Sequence, residues 1–144
     1  MTRNLSACVL DASVGLKLLV DEDGSAAAAT LLDGPRLVAP ELIHVEVANA
    51  LWRMVKVGRL SGDEAADALS LFGRLPLRRR VNDRELVAEA YRLSRLLDHP
   101  VYDCLYLALA MEEGAPVVTA DTRFVTAATR DAASAPLVID LATL

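Results

Sequence analysis

Residues 99–124 read HPVYDCLYLALAMEEGAPVVTADTRF, and this stretch decides how the chain folds. Its nearly continuous apolar run, 102–111, predicts a buried helix, and the shorter apolar run 116–119 predicts a strand. Asp103 falls at the start of the helix, and Asp121 lies just after the strand. Because aspartate is common at helix caps and in turns, these two acids gain meaning only if other segments bring further acids beside them.

Strand and helix patterns alternate along the rest of the sequence. Besides 116–119, strands are predicted at 7–10, 36–39, 75–81 and 137–140, and helices at 13–20, 25–32, 40–57, 61–72, 82–97 and 123–129. This alternation predicts an α/β fold with a mainly parallel sheet covered by helices on both faces. The consecutive arginines in 75–81 alternate poorly with apolar residues and predict an edge strand. No repeat or linker interrupts the pattern, so 1–144 is expected to form one domain.

The composition predicts a soluble protein with an aliphatic core. Hydrophobic residues make up 53% of the 144 residues but aromatic residues only 4%, a balance that disfavours disorder. No apolar run approaches the roughly 20 residues that span a membrane, and the N-terminus lacks a signal-peptide pattern, so a cytoplasmic protein with no membrane partner is expected. Cys8 and Cys104 lie in apolar segments, which favours reduced core thiols over a disulfide or a metal site.

The charge pattern neither requires nor excludes a nucleic-acid partner. A formal net charge of -5 argues against phosphate binding, which normally uses an excess of lysine and arginine. Divalent cations held by clustered acids would reverse the charge that a phosphate meets locally. Five arginines form a candidate basic face that contacts either RNA or solvent: Arg74, Arg78, Arg79, Arg80 and Arg84.

Two further acids follow predicted strands. Asp11 ends the strand 7–10, and Glu46 lies about one helical turn into the helix that follows the strand 36–39. In an open parallel sheet, ligands bind outside the carboxyl ends of the strands where the strand order reverses, so all four acids have one place at which to converge. Uncompensated carboxylates there would repel one another, whereas Mg²⁺ or Mn²⁺ binds oxygen ligands and supports phosphodiester hydrolysis.

Other phosphate chemistries fit the sequence less well. The chain contains neither GxGxxG after the first strand nor GxxxxGK[ST] at any position, which argues against a dinucleotide site and a P-loop. A phosphatase that forms a phosphoaspartate would carry a second acid two residues after Asp11, where this chain has Ser13. The residues therefore favour a metal-assisted phosphodiesterase.

A polar stripe interrupts the apolar helix 40–57. Its members recur at spacings of three and four and therefore share one face: Glu46, Asn49, Arg53 and Lys56. Glu46 is assigned to the site because it lies near the carboxyl end of a strand. For Arg53 and Lys56, a site role and a solvated helix face are equal alternatives.

Four segments carry a family resemblance: CVLDASV, APELIHVEVANALWR, HPVYDCLYLALA and VVTADTRF. In this order and spacing they resemble the PIN-domain family, and specifically the single-domain VapC-type toxins of toxin–antitoxin pairs. The resemblance runs from Val9 to about Phe124. It implies a three-layer α/β/α sandwich, a dimer formed largely by helices, and a Mg²⁺- or Mn²⁺-dependent endoribonuclease.

The resemblance assigns roles only to positions that match the family's motifs. Four residues match its acidic, metal-binding positions: Asp11, Glu46, Asp103 and Asp121. Three residues match hydroxyl and amide positions that support such ligands: Ser13, Asn49 and Thr119. For the two hydroxyls, a helix cap or a turn hydrogen bond is the alternative. His44 and His99 match no family position and are interpreted as structural or surface residues.

The resemblance also implies partners. RNA is the expected substrate, a homodimer is the expected assembly, and the usual protein partner is a small antitoxin whose tail blocks the metal site. An acidic pocket in an apolar groove bordered by Trp52 would suit such a tail. Two other interpretations stay open: a weakly catalytic PIN module that mainly binds RNA or a partner, and an RNA-processing or DNA-acting nuclease outside toxin–antitoxin biology.

Overall fold

A parallel five-stranded sheet forms the centre of the part of the chain that the computed structural model describes, residues 4–144. The strands are β1 (Ala7–Leu10), β2 (Arg36–Pro40), β3 (Leu77–Arg80), β4 (Val117–Thr119) and β5 (Val138–Asp140). The helices are α1 (Ala12–Lys17), α2 (Ser25–Ala29), α3 (Leu42–Lys56), α4 (Gly62–Phe72), α5 (Arg84–Leu97), α6 (Val101–Glu113) and α7 (Thr122–Ala128). All five predicted strands are present, each within two residues of its predicted bounds.

The strand order, β3-β2-β1-β4-β5, determines where a ligand site can form. Every neighbouring pair of strands is parallel. The chain moves outward from β1 to β3, returns to β4 beside β1, and ends at β5, so the strand order reverses between β1 and β4. The carboxyl ends of these two strands border a crevice, which confirms the adjacency predicted for Asp11 and Asp121.

Helices cover both faces of the sheet and complete the three-layer α/β/α sandwich. Because crossovers between parallel strands are right-handed, the connections on the way to β3 lie on one face and the later connections lie on the other. Helix α3 packs against α1 and α4, whereas α5 packs along α6. The arginine-rich β3 is a terminal strand, which confirms its predicted edge position.

Helix α6 lies inside the protein. Residues 104–110 are all buried, because this helix packs against α5 on one side and against β1, β2 and β4 on the other. Gly114 ends the helix at a φ of 62°, a left-handed conformation that glycine adopts readily. Cys104 in α6 and Cys8 in β1 are buried free thiols, as predicted.

Local hydrogen bonds fix the helix ends. Ser61 Oγ accepts from the N–H of Glu64 at 3.1 Å, and the Glu64 carboxylate accepts from the N–H of Ser61 at 3.4 Å, which confirms the capping box outlined by the sequence. Helix α1 ends at Lys17, earlier than predicted, because the next N–H groups bond three residues back and tighten the chain into a turn. Among residues 4–144, no helix is both long and apolar enough to cross a bilayer.

Candidate functional site

The four acids singled out in the sequence line one cavity at the carboxyl ends of β1 and β4. We call it the acidic cavity; its volume is about 290 Å³, and its acidic lining residues are Asp11, Glu46, Asp103 and Asp121. Asp11 directly follows β1 and Asp121 is the second residue after β4, whereas Glu46 lies on α3 and Asp103 in the first turn of α6. Four segments that are distant in sequence therefore deliver one carboxylate each.

Asp11 is held by the start of α1 and by the end of β4. It is only 5% exposed, and its Oδ2 accepts from the N–H of Ser13 at 3.3 Å, from the Ser13 hydroxyl, and from Thr119 Oγ1 at 2.9 Å. Burial raises the pKa of Asp11 to about 6, the negative charge of Asp103 adds to the rise, and the two hydroxyls oppose it. The fold thus keeps this carboxylate oriented without neutralising it.

The same hydroxyls connect Asp11 to the turn that carries Asp121. Ser13 Oγ accepts from the N–H of Ala120 at 3.0 Å, and Thr119 Oγ1 accepts from the N–H of Asp121 at 3.0 Å. Asp121 itself caps α7, with its Oδ1 accepting from the N–H of Arg123 at 2.9 Å. Ser13 and Thr119 therefore make turn hydrogen bonds and orient a site carboxylate at once, so the two roles weighed for them are compatible.

Glu46 is oriented by a tyrosine that sequence reasoning missed. The hydroxyl of Tyr106 donates to Glu46 Oε1 at 2.6 Å, and Tyr106 is fully buried in α6. Burial raises the pKa of Glu46 to about 7; the Tyr106 bond opposes this rise, and the charges of Asp11 and Asp103 add to it. The sequence contained one indication of this role for Tyr106. It lies three residues after Asp103 in an otherwise aliphatic helix, so Tyr106 and Asp103 are neighbours on one helix face.

Asp103 is paired with His99, one turn before it in the chain. His99 Nε2 lies 2.6 Å from Asp103 Oδ2, and the imidazole stacks on Phe124 with ring centroids 5.6 Å apart. Burial raises the pKa of Asp103, and the contact with His99 opposes the rise. The interpretation of His99 as a structural or surface residue missed this contact, which the i, i+4 spacing of a helix does not predict because His99 lies two residues before α6.

His44, by contrast, lies outside the acidic cavity. Its Nε2 accepts from Arg79 Nε, and its ring meets Phe72 edge-on at 5.3 Å. Burial lowers the pKa of His44, and the charge of Arg79 lowers it further. The structural role assigned to His44 is therefore confirmed.

The polar stripe of α3 divides between the cavity and the solvent. Asn49 and Arg53 line the acidic cavity beside Glu46. Lys56 instead places its Nζ 5.1 Å from the ring centre of Trp52, which is 56% exposed. Trp52 does not line the acidic cavity, so its predicted place at the rim is wrong: the apolar wall consists of the smaller side chains of Ala12, Leu16 and Ala50.

Much of the candidate basic face is neutralised by the protein itself. Arg78 pairs with Glu113, and Arg80 pairs with Glu112 at 2.9 Å and Asp83 at 2.7 Å. These pairs join the edge strand β3 to the end of α6 and to the start of α5. Arg79 donates to His44 and to the carbonyl of Leu77 at 3.0 Å. These three arginines stabilise the sheet edge.

The donor set of the acidic cavity suits a hard divalent cation. Carboxylate oxygens are preferred ligands of Mg²⁺ and Mn²⁺, and the pKa values of Asp11 and Glu46 are raised chiefly by burial and further by the charges of neighbouring carboxylates. Within the described range, 4–144, no three Asp, Glu, His or Cys side chains are already arranged as a metal site. Since Mg²⁺ keeps several waters and needs few protein ligands, the cavity fits the ion as an open site and not as a closed cage.

Known proteins share this fold and sequence pattern. The PIN domain family model matches residues 8–129, a range that contains all four acids. Ribonuclease VapC12 of Mycobacterium tuberculosis H37Rv is 35% identical over 115 residues, which cover 80% of this chain and 87% of the relative.

Solved structures agree on the fold. Mycobacterium tuberculosis VapC20, described as a sarcin-ricin loop cleaving toxin, has a TM-score of 0.66 at 16% identity, covering 84% of this chain and 95% of that one. A toxin-antitoxin complex from Klebsiella pneumoniae has a TM-score of 0.62 at 14% identity, covering 94% of this chain and 98% of that one. Because the family model spans most of the sequence and the identity to VapC12 extends over four fifths of it, this chain belongs to the PIN-domain family.

Proposed function

We propose that the protein is a Mg²⁺- or Mn²⁺-dependent endoribonuclease that hydrolyses RNA phosphodiester bonds as the toxin of a toxin–antitoxin pair. The convergence of Asp11, Glu46, Asp103 and Asp121 on one cavity carries this proposal. The ribonuclease VapC12 and the Klebsiella toxin-antitoxin complex support the activity and the kind of partner. We treat 1–144 as a single PIN-like ribonuclease domain, because residues 4–144 share one sheet and one core.

The chain's own contribution is to hold charge in place before the substrate arrives. The four carboxylates would bind the metal, which when bound stabilises the negative charge that develops on the phosphate and makes water a better nucleophile. Ser13 and Thr119 fix Oδ2 of Asp11, which leaves Oδ1 without a hydrogen-bond donor among the described residues. Tyr106 fixes one oxygen of Glu46 in the same way. Such preset orientation lowers the reorganisation that the reaction would otherwise require.

Arg53 supplies a positive charge on the α3 side of the acidic cavity. It is exposed, and its guanidinium makes no hydrogen bond or ion pair to residues 4–144. A phosphate entering the cavity can therefore be met by a free cation, which answers the objection raised by the net charge of -5.

The acidic cavity would also accommodate a basic side chain of an antitoxin. A lysine or arginine there would compensate the same carboxylates that bind the metal, so inhibitor and metal would compete. The expected signature is that excess Mg²⁺ or Mn²⁺ weakens the complex, measured by titration of a purified antitoxin against the toxin. An affinity that does not change with metal concentration would contradict this mode of inhibition.

We also propose a homodimer formed through helices. Val87 and Tyr91 lie one turn apart on α5 and are 41% and 58% exposed, so this helix presents an apolar surface. Sedimentation velocity should give a dimer for the wild type and a monomer for Tyr91→Glu, and a Tyr91→Glu dimer would place the interface elsewhere.

The decisive experiment compares RNA ends after brief expression of the wild type and of Asp11→Asn. New ends that depend on Asp11 are expected at defined sites, and the purified protein should cleave the same RNA with Mg²⁺ or Mn²⁺ but not with a chelator. Asp103→Asn should abolish cleavage equally while leaving the circular dichroism spectrum unchanged. If the wild type bound RNA tightly but cleaved none with either metal, the alternative of an RNA-binding PIN module would replace the nuclease.

A further inference from the structure

A second cavity adjoins the acidic cavity on the side of α7. Its volume is about 500 Å³, and it shares Asp103 and Asp121 with the acidic cavity. We call it the flanking cavity; beyond the two shared acids its lining includes Asp98, Thr122, Arg123, Thr126 and Arg130. The volume lies within the roughly 300–1,000 Å³ of typical small-molecule sites, so it is large enough for one nucleotide.

Arg123 brings a free positive charge to the flanking cavity. It is exposed, and its side chain has no hydrogen-bond or ion-pair partner within the described part of the chain, although Asp121 is two residues away. Some exposed arginines find carboxylates, as Arg78 does with Glu113 and Arg92 with Glu89, whereas Arg123 pairs with neither of the two acids, Asp103 and Asp121, that line the same cavity. The unpaired guanidinium of Arg123 is therefore available for an external anion, although a third acid, Asp98, also lines the flanking cavity.

Arg130 brings a second cation that is fixed in position. Its Nη1 donates to the backbone carbonyl of Leu97 and, at 3.3 Å, to that of Asp98. These two bonds tie Arg130 to the C-terminal end of α5 and use only one nitrogen. Its Nε and Nη2 have no protein partner among residues 4–144 and can donate to a ligand. Thr126 is less suited to this task, because its hydroxyl donates to the carbonyl of Thr122 at 2.9 Å.

We infer that the flanking cavity binds the nucleotide next to the scissile phosphate of a single-stranded RNA, with Arg123 and Arg130 on that nucleotide's phosphate. This inference rests on the proposed function, because it takes the scissile phosphate to lie at the carboxylates. A strand crossing the acidic cavity presents further phosphates on both sides, and free arginines stand on both sides: Arg53 on α3, and Arg123 on α7. A concave pocket of this size receives an unstacked nucleotide, which a duplex does not offer.

The same geometry assigns the arginines of β3 to a different task. Arg78 and Arg80 form ion pairs with Glu113 and Glu112, so their positive charges are already compensated and attract a phosphate only weakly. The RNA path therefore runs from α3 across the carboxyl ends of β1 and β4 to α7, and not along the edge strand.

The test compares RNA binding by Asp11→Asn and by the same protein with Arg123→Gln added. The probe is a fluorescent, randomised single-stranded oligoribonucleotide of about ten nucleotides, titrated in Mg²⁺ at several salt concentrations by anisotropy. Loss of one phosphate contact should weaken binding by roughly tenfold at low salt and reduce the slope of log K against log[salt] by about 0.7. Arg36→Gln in the same Asp11→Asn background is the matched control, since Arg36 is exposed at the amino end of β2, whereas the acidic cavity lies at the carboxyl ends of the strands.

Three outcomes would overturn the inference. They are an unchanged affinity and slope in the Arg123→Gln protein, an equal loss in the Arg36→Gln protein, and the absence of any RNA binding by Asp11→Asn. The proposed nuclease activity is tested separately by cleavage with the wild type. If the wild type cleaves RNA while Arg123→Gln binds as tightly as its parent, only the flanking-cavity inference fails. If the wild type does not cleave but Arg123 still supports binding, the nuclease proposal fails, and with it the scissile phosphate, while the flanking cavity stays a site for an RNA phosphate.

Discussion

Removing the negative charge of Asp11 should stabilise the metal-free protein. Asp11 is almost fully buried and faces other acids, so folding without a cation forces a charge into an unfavourable place. Asparagine keeps the shape of the side chain. All three hydrogen bonds to Asp11 within residues 4–144 use Oδ2, so the amide oxygen of asparagine can take that position and the amide N–H₂ replaces Oδ1.

The size of the effect follows from the pKa of Asp11, which burial raises from 3.8 to about 6. A group whose pKa is higher in the folded state stabilises the fold below its unfolded pKa and loses that contribution as the pH rises through the folded value. Above about pH 6, the free energy of unfolding is lowered by nearly 3 kcal/mol because Asp11 is ionised inside the folded protein, since each pKa unit is worth about 1.4 kcal/mol. At about pH 4, this loss of stability falls below about 1 kcal/mol, because Asp11 is then mostly protonated in the folded protein. The advantage of Asp11→Asn should follow this curve.

Urea unfolding in a chelating buffer between pH 4 and pH 8 measures this difference. Circular dichroism is the suitable probe, because the single tryptophan, Trp52, is exposed and reports little on the core. Asp140→Asn is the matched control: Asp140 also caps a helical turn at the end of a strand, accepting from the N–H of Ala142 at 2.9 Å, but it does not line the acidic cavity. A difference between the wild type and Asp11→Asn that is zero at pH 7.5, or constant with pH, would refute the reasoning. Mg²⁺ should stabilise the wild type and narrow the gap.

Three further outcomes are expected. Tyr106→Phe keeps the buried ring but removes its bond to Glu46, so Mg²⁺ affinity measured by calorimetry should fall about tenfold with little change in stability, and equal affinity would contradict the role of Tyr106. His99→Phe keeps a ring beside Phe124 but removes the bond to Asp103, and the same titration should again show about a tenfold loss. Mg²⁺ must displace protons from Asp11 and Glu46, whose pKa values without metal are about 6 and about 7, so its affinity should fall steadily from pH 8 to pH 5.5, and a flat profile would exclude these residues as ligands.

The sequence predicts most of the fold because hydrophobic periodicity and capping act locally. The five strands and the capping box at Ser61 are read from neighbouring residues alone. The boundaries that differ, such as the early end of α1, depend on turn geometry that several sequences can satisfy. The adjacency of β1 and β4 was also predictable, since a doubly wound sheet has one point of reversal and two of the four acids follow strands.

The contacts around the carboxylates were less predictable, because they join side chains from different elements. The bond between Tyr106 and Glu46 spans 60 positions in the sequence, and a tyrosine in an apolar helix is read first as core. The prediction for Trp52 failed for a simpler reason: consecutive helix residues point about 100° apart, so Arg53 lines the acidic cavity while Trp52 is exposed to solvent.

The partners of the carboxylates indicate why the site stays charged. Asp11 is held by hydroxyls and a backbone N–H, and Glu46 by a phenol, all of which are neutral donors. A buried arginine would have lowered the pKa of these acids and neutralised the cavity, yet the arginines that form ion pairs in the described chain do so elsewhere, as Arg80 does with Glu112. Neutral donors fix the direction of a carboxylate while leaving its charge uncompensated, and burial makes that charge costly. A divalent cation would compensate the buried carboxylate charge and would find its ligands already oriented. The features that destabilise the metal-free protein therefore favour metal binding.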